Sequence, residues 1–476
     1  MNLKRSERMI NPSVTGLIVL GVVLLFNGYA AARTALPSAV KERLVVTDTR
    51  LLSGGVTVLK EGVLVLEKGS RIVAGEGATL TILGTLEIRG VEGEPVTIAG
   101  DGGGKWKGIS FLSGSTGTIA GLDLSGAEAG VSIIAAKVSV SDSVISRSEK
   151  GVHLVREASV RLHETEFVEN GLGIAAEMKS TGTVTRCTFR KNEIGIGVAS
   201  GGRPVISNNR FEENRFGIQI MQRYPGTIRE NLFEKNDVAA RLYQNGPDTV
   251  LEKNVFLNNT NGAVVALSYS SPTIINNRIE GGRYGIMANQ FSSPAVKNNV
   301  LIGLDEGIHL NKKNSSTMTG NILSDSDVGL FLDFSSYPVI RDNIFDGNRT
   351  NIKLGRFQSS HWEASAGSKK FVMQTAAKLG SRNPKLAQGP EEFPESVDAT
   401  GNAWDKATAA QMAGTGDGAN ISTFYDGHDL PEVTYEGFDG QKYRLDKILY
   451  KPWLEDTPPS AGLQGWKGRA DELDLP

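Results

Sequence analysis

The chain has 476 residues, with 51 Lys plus Arg against 53 Asp plus Glu, for a formal net charge of −2. That balance gives no electrostatic reason to expect nucleic acid or an anionic membrane as partner. The 56 glycines and only 7% aromatics suit many short strands joined by turns, and 39% hydrophobic residues argue against disorder. A single cysteine, Cys187, excludes an intramolecular disulfide and any zinc site needing two thiolates.

The N-terminus reads as an address. Lys4, Arg5 and Arg8 precede an apolar run from Val14 to Phe26, and Ala30-Ala31-Ala32 supplies small residues for a cut before Arg33. The run falls short of the ~20 apolar residues of a comfortable transmembrane helix. Residues 1–32 are therefore expected to be a secretory signal peptide, with an uncleaved anchor as the competing reading. A periplasmic or extracellular location follows, with no stable membrane insertion after cleavage. Residues 33–55 are expected to form an N-terminal cap. Residues 56–135 then hold short alternating strands broken by Gly, closing on Trp106-Lys107-Gly108-Ile109.

Residues 136–355 repeat with a period of 22. Aligned on one large apolar residue, the repeats give Ile145, Phe167, Phe189, Phe211, Phe233, Phe256, Ile279, Leu301, Leu323 and Phe345. Five positions earlier every repeat is again apolar. Seven and nine positions later apolar residues alternate with outward ones, the pattern of a strand with one buried face. On this alignment Ala263 and Val265 are expected to point inward. Asparagine stands two residues before the aligned position in seven consecutive repeats, from Asn209 to Asn343, and a second column runs through Asn170, Asn192, Asn214, Asn236, Asn259 and Asn348. Inward amides are costly unless bonded, so stacking on one another is expected. Glycine usually precedes the strand, as in Gly151, Gly173, Gly195 and Gly217, which suggests a bend that glycine tolerates best. A charged column, including Glu193, Arg215, Arg283, Asp305, Asp327 and Arg349, predicts a surface ion-pair ladder.

A short repeat that stacks each residue type on itself is a β-solenoid. The stretches NNRFEENRFGIQI, NNRIEGGRYGIMA and DNIFDGNRTNIKL resemble secreted bacterial right-handed parallel β-helix proteins of the pectin-lyase-like superfamily. The resemblance covers roughly residues 56–355. It implies an all-β, right-handed parallel β-helix of about 14 rungs, ~65 Å long at ~4.8 Å per rung. It leaves function open, because that fold carries lyases, hydrolases, epimerases, adhesins and non-catalytic members.

After Gly355 the period is lost. Residues 356–476 are expected to supply a final rung at Asn402-Ala403-Trp404, terminal strands over 421–426, 433–435 and 448–454, and an irregular cap over the open end, or else a separate binding module.

The resemblance implies that the outward residues of the strand after the aligned position form the functional face. Gln219, Arg241, Tyr243, Asn289, His309, Asn311 and Asp333 are placed there, with Tyr224, Tyr269 and Phe291 bordering them from the following turn. Aromatic faces suit sugar rings, and the amides, His and Asp suit their hydroxyls. The clustered acids of pectate-lyase-like and polygalacturonase-like sites are missing. The nearest candidate for acid–base work is His309 with Asn311 and Asp333. The five histidines and Cys187 show no metal-ligand spacing, and no cofactor or metal is expected. The reading is an exported, non-catalytic protein that binds polysaccharide or another envelope polymer. The alternatives are a lyase, hydrolase or epimerase on acidic polysaccharide, and a periplasmic accessory or maturation protein.

Overall fold

The structure, a computed structural model, describes residues 34–365, 394–435 and 440–464; the expected signal peptide, residues 1–32, lies outside them. The chain is an all-β, right-handed parallel solenoid of about 14 turns. One turn illustrates the plan. Arg203–Ser207 forms the first face, Arg210–Glu212 the second and Phe216–Met221 the third. First- and second-face strands join along a corner into one 28-stranded sheet, and the third face is a 16-stranded sheet whose two end strands have two residues each. Pairing is parallel and in register throughout the repeats, so Phe189, Phe211, Phe233 and Phe256 sit one above another. Strands Arg43–Val46 and Thr49–Leu52 already pair with the first turns.

The core is made of columns. The rings of Phe167, Phe189, Phe211, Phe233 and Phe256 stack at 4.7–4.9 Å with nearly parallel planes. All five are fully buried. The chain turns both corners of the second face through a left-handed residue, such as Asn208 (φ 56°) and Glu213 (φ 54°). That conformation costs a non-glycine residue about 1–2 kcal/mol. An asparagine follows most of these bends and offsets the cost. Asn209 Nδ2 donates to Asn231 Oδ1 at 3.0 Å and to the Val184 carbonyl at 2.9 Å, and the Asn209 backbone N–H donates to the same Asn231 Oδ1 at 2.9 Å. The pattern repeats through Asn254, Asn277, Asn299, Asn321 and Asn343 and ends on Asn402 in the cap. A second ladder runs from Asn170 through Asn192, Asn214 and Asn236 to Asn259. Cys187 occupies the top of the first ladder, buried, and burial pushes its thiol up to about 12. It is a packing residue.

The recurring glycine has a different cause from the one its sequence suggests. Gly173, Gly195 and Gly217 are not in the left-handed region. A Cβ on Gly217 would lie 2.6 Å from the Ala239 carbonyl oxygen and 3.0 Å from the Phe233 ring. Glycine stands there because backbone and phenyl stack close together.

One register expectation is corrected. Val264 and Ala266, not Ala263 and Val265, carry the inward positions of their strand, because Ala240 pairs with Val264 and Val264 with Ile286. The extra residue of this repeat is absorbed between Phe256 and the strand, beside the left-handed Asn258. Val265 and Leu267 therefore stand outward. The charged column is ion-paired at its ends, Arg215 to Glu193 and Arg349 to Asp327 at 3.2 Å, while Arg283 lies over the Tyr284 ring instead.

At the C-terminal end Ala403–Trp404 adds a rung on Ile344–Phe345, and Trp404 stacks on Phe345 at 4.7 Å. Helix Lys406–Ala413, capped by Asp405, lies over this end with Met412 buried. Of the terminal strands, Val433–Tyr435 has the expected bounds, while Phe424–Tyr425 and Lys447–Leu449 are shorter than the expected 421–426 and 448–454. Residues 460–464 run back along the rod, with Gly462 N–H donating to the Gly320 carbonyl and Gln464 N–H to Asn276 Oδ1. Asp446 anchors the cap. It accepts from the Tyr337 hydroxyl at 2.6 Å and the Ser360 N–H at 2.9 Å, and burial pushes its carboxyl up to about 6.

Two predictions follow from these contacts. Asn254→Ala removes acceptor and donors from the middle of the ladder and should cost about 1–3 kcal/mol, read as a lower denaturation midpoint. An acid whose pKa is raised on folding favours the fold when protonated. Its contribution is greatest below the ordinary carboxylate range and is lost as pH rises toward 6. Asp446→Asn should therefore gain stability relative to the parent between pH 4 and pH 7, by up to roughly 2–3 kcal/mol on the conversion of about 1.4 kcal/mol per pH unit. Equal denaturation curves for the pair at both pH values would contradict this.

Candidate functional site

The third face presents its outward residues in columns because alternate residues of each strand leave the core. Gly197, Gln219, Arg241 and Val265 stand in register in successive turns, and Met287, His309 and Phe331 continue the column. Seven expected site residues thus share one face: Gln219, Arg241, Tyr243, Asn289, His309, Asn311 and Asp333. The outward Val265 and Leu267 divide them into two groups.

In the first group the Arg241 guanidinium lies 4.8 Å from the ring centres of both Phe216 and Tyr243 and donates to the Tyr243 hydroxyl. Phe216 is buried although it lies outside the core cluster, because Arg215 and Arg241 both lie over its ring. The alignment around the Asn and Phe columns did not single out Phe216. Its signal was the apolar residue directly before the column glycine, as in Leu172 and Ile194.

In the second group His309 is largely buried. Its ring stacks on Phe331 at 4.7 Å and meets the edge of Tyr284 at 5.1 Å, while Nδ1 lies 2.6 Å from Glu306. Asn289 Oδ1 accepts from the Gln290 N–H at 2.7 Å. Asn311 is half-buried, and its Oδ1 has no hydrogen-bond partner among the described residues. Tyr269 and Phe291 stack on each other at 5.2 Å in the adjoining turns.

Two expectations change here. Tyr224 does not border this face. It is buried, and its hydroxyl donates to the Pro204 carbonyl at 2.6 Å on the first-face side of the turn. Its ring covers Gly226, where any Cβ would come within 2.8 Å of it. Asp333 is on the face but committed to structure: Oδ1 accepts from Phe334 N–H at 2.8 Å and Phe357 N–H at 2.7 Å. Burial raises its pKa against the opposing pull of those two bonds. A Cβ on Gly355 would sit 2.3 Å from the Asp333 carboxyl carbon, so glycine is needed to seat it. His309, Asn311 and Asp333 therefore form no acid–base pair with a free carboxylate.

The architecture defines the molecule as a parallel β-helix repeat protein. The family model described as right handed beta helix region matches residues 129–279, and that described as periplasmic copper-binding protein (NosD) matches residues 242–380. No curated protein matches the chain. Among solved structures, the tailspike protein of an E. coli bacteriophage, crystallised with a pentasaccharide, is similar at 10% identity and TM-score 0.42, covering 69% of this chain and 71% of that one. A mannuronic acid specific polysaccharide family 6 lyase from human gut microbiota is similar at 13% identity and TM-score 0.32, over 59% of this chain and 82% of that one. The periplasmic alginate epimerase AlgG, as a point mutant, is similar at 15% identity and TM-score 0.33, over 66% of this chain and 78% of that one. No residue role is carried over from these structures.

Among the described residues no set of side chains suited to the copper named in the second family's description is assembled. Met287 and His309 are neighbours in register, but His309 Nδ1 is engaged by Glu306, and Met318 and Cys187 are buried in the core. Among the described residues no three His, Cys, Asp or Glu converge as a metal-binding group. No helix among them is long and apolar enough to cross a membrane.

Proposed function

We propose that the protein is an exported, non-catalytic β-helix that binds an extended polysaccharide along its third face, in the periplasm or outside the cell. One observation carries the reading: Arg241 is held by two rings, Phe216 and Tyr243, on an open face of half-buried polar side chains. A guanidinium fixed in this way presents its remaining donors to a ligand without a large ordering cost. The Tyr243 ring offers an apolar face to a sugar, and Gln219, Asn289 and Asn311 line the same face with amides. Catalysis on a glycosidic bond needs an acid and a base within reach of one bond. The candidate acid here, Asp333, is bound to two backbone N–H groups. Export rests on the charged, apolar and small-residue pattern of the first 32 residues.

The test is a glycan array followed by titration of the best ligand. Replacing Tyr243 and Asn311 by Ala should weaken binding at least tenfold, about 1.4 kcal/mol, with an unchanged melting midpoint. Turnover of a uronic-acid polymer by the unmodified protein would contradict the non-catalytic reading. Binding that survives the double change but is lost on truncation after Gly355 would move the ligand site to the C-terminal segment.

A further inference from the structure

The first face carries a charge pattern unlike the rest of the rod. Up to the left-handed corners, which in the first two turns are Asp142 and Glu164, its segments over five consecutive turns cover residues 137–141, 159–163, 181–185, 203–207 and 226–229, and none of these segments contains Asp or Glu. Their outward positions hold Lys137, Arg161, Arg203 and Arg229, all exposed. None of these four has a side-chain ion-pair or hydrogen-bond partner among the described residues. Neighbouring cations on the same turns are paired: Arg186 with Glu164 at 3.3 Å, Arg210 with Glu234 at 2.6 Å and Arg223 with Asp248 at 2.9 Å. A chain with a small excess of acids over bases, 53 against 51, has here left four cations without an ion-pair partner on one surface.

The remaining outward positions are mostly hydroxyls: Ser139, Ser159, Thr181, Thr183, Thr185 and Thr227. Two shallow grooves lie on this face. One, of about 370 Å³, is lined by Lys137, Ser139, Ser159, Arg161, Gly182 and Thr183. The other, of about 320 Å³, is lined by Arg203, Val205, Tyr224, Thr227, Arg229 and Glu252. They adjoin, because Thr183 and Val205 are paired in register. Gly182, at φ 139°, lies so close to Val160 that a Cβ would come within 2.1 Å of its carbonyl oxygen. The buried Tyr224 ring forms part of the wall of the second groove. The bordering carboxylates are few. Glu164 is engaged by Arg186 and His163, each at 3.3 Å, Glu157 stands in the preceding turn, and Glu252 closes the second groove.

We propose that this first face is a second binding surface, for a linear acidic glycan lying along the rod axis. Its carboxylates would bridge from Lys137 and Arg161 to Arg203 and Arg229, and its hydroxyls would bond the Ser and Thr side chains. Stacked turns repeat every ~4.8 Å, so cations on successive and alternate turns offer a series of contacts to a polymer, not one pocket for a small anion. Arg suits carboxylate through its planar fork. Single-stranded nucleic acid would need a series of aromatic platforms for its bases, whereas among the outward residues of these segments only His163 is aromatic, and its ring is engaged by Thr185 and Glu164. The surface is distinct from the aromatic third face, and its proposal does not depend on that one.

The experiment is calorimetric titration with an oligogalacturonate, a neutral glucan of equal length and a short single-stranded oligonucleotide, at low and high salt. Oligogalacturonate should bind, and more weakly as salt rises. Arg161→Gln with Arg203→Gln should weaken it at least tenfold without lowering the melting midpoint, because both side chains are exposed. Lys297→Gln, in a later turn of the same face, should leave affinity unchanged, as should the Tyr243 and Asn311 double change. No binding of the acidic oligomer, unchanged affinity in the Arg double variant, or tighter binding of the oligonucleotide would each overturn the proposal. Loss of acidic-oligomer binding only on changing Tyr243 and Asn311 would place the acidic ligand on the third face instead.

Discussion

The hydrogen bond from one asparagine to the next is the interaction on which the rest of this structure depends. Each turn must bend sharply at two corners, and it does so through left-handed residues that are mostly not glycine. Such bends are unfavourable singly and leave backbone groups facing inward. Each asparagine answers both problems. Its Oδ1 accepts from the backbone N–H and the amide of the asparagine one turn earlier, as Asn277 does for Asn254 at 2.9 and 3.0 Å. Its Nδ2 also donates to a main-chain carbonyl, as Asn277 does to Leu251 at 2.9 Å. Each ladder amide has partners for its oxygen and its nitrogen, so the amides can sit in a core otherwise filled by aliphatic and phenyl columns.

This constraint also fixes register, and register makes the outer surfaces. A parallel strand that slipped by one residue would turn its whole apolar set outward. The ladder opposes a slip because amide and backbone bonds would break together. The third-face column of Gln219 and Arg241, and the first-face column of Arg161, Thr183 and Val205, therefore stand at fixed spacing along the rod. Where a repeat holds an extra residue, before Val264, the first ladder continues from Asn254 to Asn277, the second ends at Asn259, and the surplus is taken up in the turn. The surface then changes character at Val265 and Leu267. A feature of the binding face is thus a consequence of how the core absorbs an insertion.

Much of this was legible in the residues alone. The Phe and Asn columns show the period, the parallel stacking and the inward faces, because a fixed repeat aligns each residue with its spatial neighbour. Asn402-Ala403-Trp404 could be read as a further rung for the same reason. What a periodic alignment could not show is what happens between its anchors. Phe256 anchors its repeat correctly, yet the extra residue after it moves Val264 inward. Tyr224 was read as a border of the third face, whereas its loop folds the ring back beneath Pro204 and Gly226. The glycine column was visible but its cause was not, since a carbonyl at 2.6 Å is a contact between turns. The four first-face cations are visible as residues, but their lack of partners depends on where the carboxylates of neighbouring turns point, which the sequence does not show. Pairing among long surface side chains was least legible: Arg283 prefers the face of Tyr284 to the carboxylates of its column.

The central claim is that the asparagine ladder holds the turns together. Amide hydrogen exchange, resolved at single residues, tests it most directly. The backbone N–H groups of Asn209, Asn231, Asn254, Asn277, Asn299 and Asn321 lie at corners between strands, where a turn amide would ordinarily exchange quickly. Each donates to the Oδ1 of the asparagine in the next turn at 2.9–3.1 Å. They should therefore be protected as strongly as the amides of the flanking strands, and should exchange only with opening of the whole solenoid. Exchange at the rate of exposed turn amides, with the strands still protected, would contradict the account.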